Sequence, residues 1–124
     1  MSFKFVRQKD SMQCGVAALS MVCRHFGIEY SLRFLDSLCH ATTEGVSMKG
    51  MADAAKSLGL ETSTVKIGAG SLLKSPLPAI LHWNQNHFVV LWKISKDGAR
   101  FYLADPAKGK ICYSCAEFLQ HWAS

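Results

Sequence analysis

The apolar residues of this chain change period once. Up to Gly59 they recur at helical spacing, and beyond it they alternate as in strands. Helices first and strands later lead to an α+β fold, with N-terminal helices packed on a mostly antiparallel sheet. Phe3 to Arg7 reads as a short extended lead-in. Cys14 to Phe26 reads as the first helix, with Val16, Leu19, Cys23 and Phe26 as its stripe and Gly27 as its stop. Ser31 caps a second helix through about Leu38, with Leu32, Leu35 and Leu38 on its apolar side. Thr42 to Val46 is a loop, and Ser47 caps a third helix, Met48 to Leu58, carrying Met51, Ala54 and Ala55. Glu61 to Ile67 then alternates as a strand, and Gly68 to Ser75 is a crossover. Pro78 to Trp83, Asn86 to Trp92, Arg100 to Asp105 and Lys110 to Tyr113 read as further strands. Ser114 caps a closing helix through Trp122. No repeat, low-complexity tract or linker interrupts residues 1–124, which are expected to form a single domain.

The residues that carry chemistry begin just before the first helix, in Gln8-Lys9-Asp10-Ser11-Met12-Gln13-Cys14. A cysteine that opens a helix meets unpaired backbone N–H groups and the positive end of the helix dipole, which favour a thiolate. Gly15 behind it leaves room for a close backbone approach. Gln8 upstream can offer its amide N–H to an oxyanion. These are half the needs of a cysteine hydrolase; a histidine base and an orienting group form the rest.

His87, at the first position of its strand, and Asp105, at the end of the next, supply that second half. A four-residue loop at Ser95–Gly98 sets Ile94 against Ala99 and His87 against Pro106, one residue from Asp105. A two-residue loop at Asp97-Gly98 sets His87 against Lys108 instead. In the first register an imidazole and a carboxylate meet at one end of a hairpin, as a base and its orienter require.

Other groups have structural explanations. Cys23, about half a turn round the helix from Cys14, lies on the apolar stripe as a small hydrophobe. His25, His40, His82 and His121 have no motif around them, although His82 lies near the hairpin end and can neighbour the site. Cys112 and Cys115 form a C-x-x-C without the second ligand pair that zinc needs and outside a thioredoxin-like βαβ context, so they read as ordinary cysteines beside a helix cap. Met21, Phe34, Met48, Met51, Phe88, Trp92 and Phe101 sit at core spacing. No cofactor or metal is expected.

Composition narrows the setting. Five cysteines, an odd and scattered set, argue against a secreted disulfide framework and for a reducing cytosol. Apolar content of 49% and charged content of 19% are globular values, no run approaches a membrane span, and no signal-peptide pattern precedes the motif. The net charge of +5 is spread along the chain, which suits a solvated surface or acidic peptide partners better than nucleic acid.

With both halves in view, the chain resembles C39-family peptidase domains, the papain-like modules of bacterial peptidase-containing ABC transporters. The resemblance runs through Gln8 with Cys14-Gly15-Val16-Ala17-Ala18-Leu19, Thr43 to Gly50, Pro78 to Trp83, Asn86 to Leu91, Asp105-Pro106-Ala107 and Glu117-Phe118 with Trp122. It implies a papain-like cysteine protease fold and removal of leader peptides from bacteriocin- or lantibiotic-type precursors after a Gly-Gly, Gly-Ala or Gly-Ser motif. Carried over by position, Cys14 is the nucleophile, His87 the base and acid, Asp105 the orienter and Gln8 an oxyanion donor beside the Cys14 N–H. The implied partners are the precursor peptide and a transporter's membrane and ATPase domains, on the same or a separate chain, at the cytosolic side of the membrane. This chain then corresponds to an excised or free-standing peptidase unit. Gln13 departs from the acid that relatives often carry before the cysteine. The alternative is an exporter module that binds leaders without cutting them; such relatives in hemolysin-type systems lack the cysteine that Cys14 provides here.

Overall fold

Helix α1 (Cys14–His25) is buried on every side from Cys14 through Cys23. Gly15, Ala17, Ala18 and Ser20 are small enough to let neighbouring backbones approach it closely. Its end is set by Gly27 at φ +91°, a left-handed conformation that a side chain rarely adopts, with the Ile28 N–H returning to the Cys23 carbonyl at 3.1 Å. Phe26, expected on the buried stripe, falls in this turn instead and is 57% exposed. The computed structural model describes residues 3–8, 14–39, 47–60, 72–83 and 87–122. The expected Thr42–Val46 loop, the Glu61–Ile67 strand and the first half of the Gly68–Ser75 crossover lie outside them.

Two short helices complete the α1 layer. In α2 (Leu32–Cys39) the Ser31 hydroxyl accepts the Phe34 N–H at 3.1 Å, and in α3 (Met48–Ser57) the Ser47 hydroxyl accepts the Gly50 N–H at 2.9 Å. Only Leu35 and Cys39 of α2 are buried, so Leu32 and Leu38 pack at the margin. Phe34, expected in the core, is 43% exposed because it stands on the opposite side of this helix. Met21, Met51, Phe88 and Phe101 are buried as expected, while Met48 and Trp92 are half-buried.

The sheet is antiparallel in the order β1 (Ala79–Trp83), β2 (His87–Ile94), β3 (Arg100–Asp105), β4 (Gly109–Ser114). Alternation divides its residues between two layers. Phe88, Val90 and Ala104 face the helical layer of α1, whereas Leu81, Trp83, Val89, Leu91, Phe101 and Leu103 face α4 (Cys115–His121) on the other side. A reciprocal capping box starts α4: the Ser114 hydroxyl accepts the Glu117 N–H, and the Glu117 carboxylate accepts the Ser114 N–H. Its Phe118 stacks on Phe101 with ring centroids 4.3 Å apart, both rings sealed from water. Phe101→Ala is expected to lower stability by about 3–5 kcal/mol, a large share of a typical domain's 5–15 kcal/mol. A fall in the urea midpoint at unchanged slope would check it.

The β2–β3 pairing follows neither expected loop throughout. The Ser95 N–H donates to Arg100 O at 3.0 Å, and Ile94 faces Phe101 rather than Ala99. Between Leu91 and Lys93, Trp92 is an extra residue on β2, a bulge that shifts the register so that Leu91 faces Leu103 and Val90 faces Ala104. Among the described residues, no helix is long and apolar enough to cross a membrane.

Candidate active site

His87 opens β2 and Asp105 closes β3, so antiparallel pairing carries both to one end of the sheet. His87 Nε2 lies 2.7 Å from Asp105 Oδ1. The Cys14 thiol, at the first residue of α1, is hydrogen-bonded to the same imidazole. With Nε2 turned to the carboxylate, Nδ1 is the nitrogen left for sulfur. The changed register therefore still delivers the expected meeting of imidazole and carboxylate.

Asp105 is 4% exposed, and its Oδ1 also accepts the Ala107 N–H at 2.9 Å. The Lys108 N–H closes the turn on the Asp105 carbonyl at 3.0 Å. Held by two donors, the carboxylate has little freedom to swing, so it fixes the imidazole's orientation and tautomer.

The charges follow from these contacts. Burial alone would push the Cys14 thiol up. The His87 hydrogen bond, the Phe88 N–H, the His87 charge and the Gly15 N–H outweigh it, and the thiol ends below its ordinary value. His87 is pushed up to about 9, chiefly by its hydrogen bond to Asp105 and then by that to Cys14, against its burial. Burial likewise pushes Asp105 up, but the His87 hydrogen bond, the Ala107 N–H and nearby positive charge hold it below the usual carboxylate range. The other two buried thiols move the opposite way. Burial raises Cys23, and burial with the Asp36 charge raises Cys39 to about 11. Of these three thiols, Cys14 is the one whose ionised form its surroundings favour.

Gln8 arrives at the same end through its backbone, whose N–H donates to the Pro106 carbonyl at 3.0 Å. Its carboxamide oxygen is buried. Gln13 lies outside the described residues. His82 faces Phe88 across β1 and β2 and stacks on it with centroids 5.3 Å apart, so it neighbours the site as its place in the chain suggested. Cys112 is exposed on β4 and Cys115 half-buried at the start of α4, both as free thiols. Among the described residues no group of three or more His, Cys, Asp or Glu is placed to hold a metal ion. The sequence reading missed the Phe88 N–H at the sulfur, which no side-chain pattern announces, and the Ala107 N–H on Asp105, for which Asp-Pro turn chemistry was a usable signal.

The profile of the Peptidase C39 family matches residues 2–124. The lactococcin-G-processing and transport ATP-binding protein LagD of Lactococcus lactis subsp. lactis is 33% identical over 125 residues, which cover 96% of this chain and 18% of that protein. The colicin V secretion/processing ATP-binding protein CvaB of Escherichia coli is 34% identical over 104 residues, covering 84% and 15%. The chain thus spans less than a fifth of the length of these curated relatives. Among solved structures, a double glycine motif protease from an AMS/PCAT transporter, in complex with the leader peptide, superposes with a TM-score of 0.92 at 30% identity, covering 98% of this chain and 86% of that one. The peptidase domain of Streptococcus ComA, a bi-functional ABC transporter involved in quorum sensing, gives 0.88 at 27% identity, covering 98% and 93%.

Proposed function

This chain belongs to the peptidase C39 family, and from that membership we propose a cysteine endopeptidase that removes the leader of bacteriocin- or lantibiotic-type precursors after a Gly-Gly, Gly-Ala or Gly-Ser motif. Residues 1–124 form its single peptidase domain. It works at the cytosolic face of the membrane with the membrane and ATPase domains of an ABC exporter, on the same or another chain, and needs no nucleic acid. One observation carries the reading. Cys14, His87 and Asp105 form one hydrogen-bonded chain, in which a thiol lowered below its ordinary value touches an imidazole raised above its own.

The chemistry follows from that pair. The Cys14 thiol passes its proton to His87, which Asp105 steadies as the imidazolium, and the resulting thiolate attacks the carbonyl carbon of the second small residue of the motif. The Gln8 amide and the Cys14 N–H receive the tetrahedral oxyanion, donors of a kind typically worth about 10²–10³ in rate. The C–N bond breaks, His87 Nδ1 gives its proton to the departing amine, and a thioester joins Cys14 to the leader. Neutral His87 then takes a proton from water, whose oxygen displaces the sulfur and leaves the leader with a free carboxylate.

A precursor carrying a Gly-Gly leader, incubated with the protein, should yield two products whose masses together exceed the precursor by one water. Precursor retained by the protein yet recovered whole would identify a leader-binding module and overturn the peptidase reading.

A further inference from the structure

The turn that carries Asp105 offers two carbonyls at its tip, and the N-terminal segment takes both. The Gln8 N–H donates to Pro106 O and Arg7 Nη1 donates to Ala107 O, each at 3.0 Å. Ala107 is thereby held from both ends, since its own N–H donates to Asp105 Oδ1 at 2.9 Å. The guanidinium is steadied in turn by the Phe5 ring, whose centroid lies 5.4 Å from it. Ala107 and Lys108 are exposed, and Gly109, which opens β4 opposite Asp105, lies at φ +113°. Pro106 is buried, but the exposed Ala107 and Lys108 beside it open locally at low cost unless tied down.

We infer that Arg7 is a positioning residue: by fixing Ala107 it holds the Asp105 carboxylate on His87, and it draws the backbone of Gln8 to the same turn. The inference rests on the catalytic reading above. One clamp then sets two parts of the site that lie about a hundred residues apart in the chain, the orienting carboxylate and the oxyanion donor. Arg7 touches neither substrate nor sulfur. Its effect is transmitted along Ala107, Asp105 and His87.

The test compares Arg7→Met, which keeps an unbranched stem and loses every donor, with Arg7→Lys, which keeps a donor. Arg7→Met should lower kcat for a Gly-Gly precursor about tenfold, with KM within about twofold. A carboxylate that wanders supports the imidazolium less, so the alkaline limb of kcat should move down by about one pH unit. The pH midpoint for alkylation of Cys14 by iodoacetamide, followed by mass on the Cys14 peptide, should move up by a similar amount. Arg7→Lys should recover most of each change. An unmoved pH profile and alkylation midpoint in Arg7→Met, or Arg7→Lys no better than Arg7→Met, would overturn the assignment. Alkylation needs no peptide substrate. If no leader is cut even by the unaltered protein, the peptidase reading fails while the Cys14 midpoint still reports on the clamp.

Discussion

Cys14→Ala should cut leader cleavage by about 10⁵-fold or more, with leader affinity kept within about twofold. The size follows from the division of labour in the site. A nucleophile removed from a triad costs nearly as much as the whole triad, because the remaining members have nothing to activate. Affinity persists because the change removes a single sulfur from a helix whose other contacts stay in place. Alanine is also the best helix former, and it matches the small Ala17 and Ala18 that follow. Single-turnover cleavage read by mass gives the first quantity, and titration of a labelled leader gives the second. Cleavage surviving at the unaltered rate would remove the thiol from the mechanism. Cleavage and binding lost together, with the fold intact by circular dichroism, would make Cys14 a docking residue.

His87→Ala should have the next largest effect, about 10⁴-fold or more in turnover, with a second signature in pH dependence. In the unaltered protein, activity should rise as pH climbs through the lowered value of Cys14 and fall again as pH passes about 9, where His87 gives up its proton. The window for the charged pair lies between those two points. Without the imidazole, Cys14 loses both its hydrogen bond and the charge facing it, while the opposing effect of burial remains. The Phe88 and Gly15 N–H groups alone then support the anion, so alkylation of Cys14 by iodoacetamide should shift to distinctly higher pH than in the unaltered protein. The measurement is the rate of Cys14 modification against pH in both proteins. Coincident curves would show that the helix terminus, not the imidazole, creates the thiolate.

Much of this site was legible in the chain because each part is announced by its neighbours. Cys14 stands where polar residues give way to an apolar helix, His87 at the first residue of a strand, and Asp105 before a proline that ends the next. Serines at 31, 47 and 114 mark helix starts, since a hydroxyl at that position answers an orphan N–H. What escaped depends on packing or on the backbone alone. The periodic pattern placed Phe26 and Phe34 inside. It cannot show that the helix stops at His25, leaving Phe26 in the turn that Gly27 closes, or that α2 buries only Leu35 and Cys39. Counting across the hairpin loop likewise assumes an unbroken ladder. The grip of Arg7 on Ala107 joins residues 100 positions apart through a carbonyl, and side-chain identity says nothing about carbonyls.

The extra residue at Trp92 decides more than local geometry. Strand neighbours that look across at one another share a side of the sheet, so one unmatched position reverses the parity of everything before it. Continued without that offset from the Ile94–Phe101 pair, the row His87, Val89, Leu91 would look toward α1, and Phe88 and Val90 toward α4. As it is, His87 falls into step with Phe101, Leu103 and Asp105, and the imidazole shares its row with the carboxylate that steadies it. A single surplus amino acid, five positions from the imidazole, thus decides whether ring and carboxylate stand on the same side of the sheet.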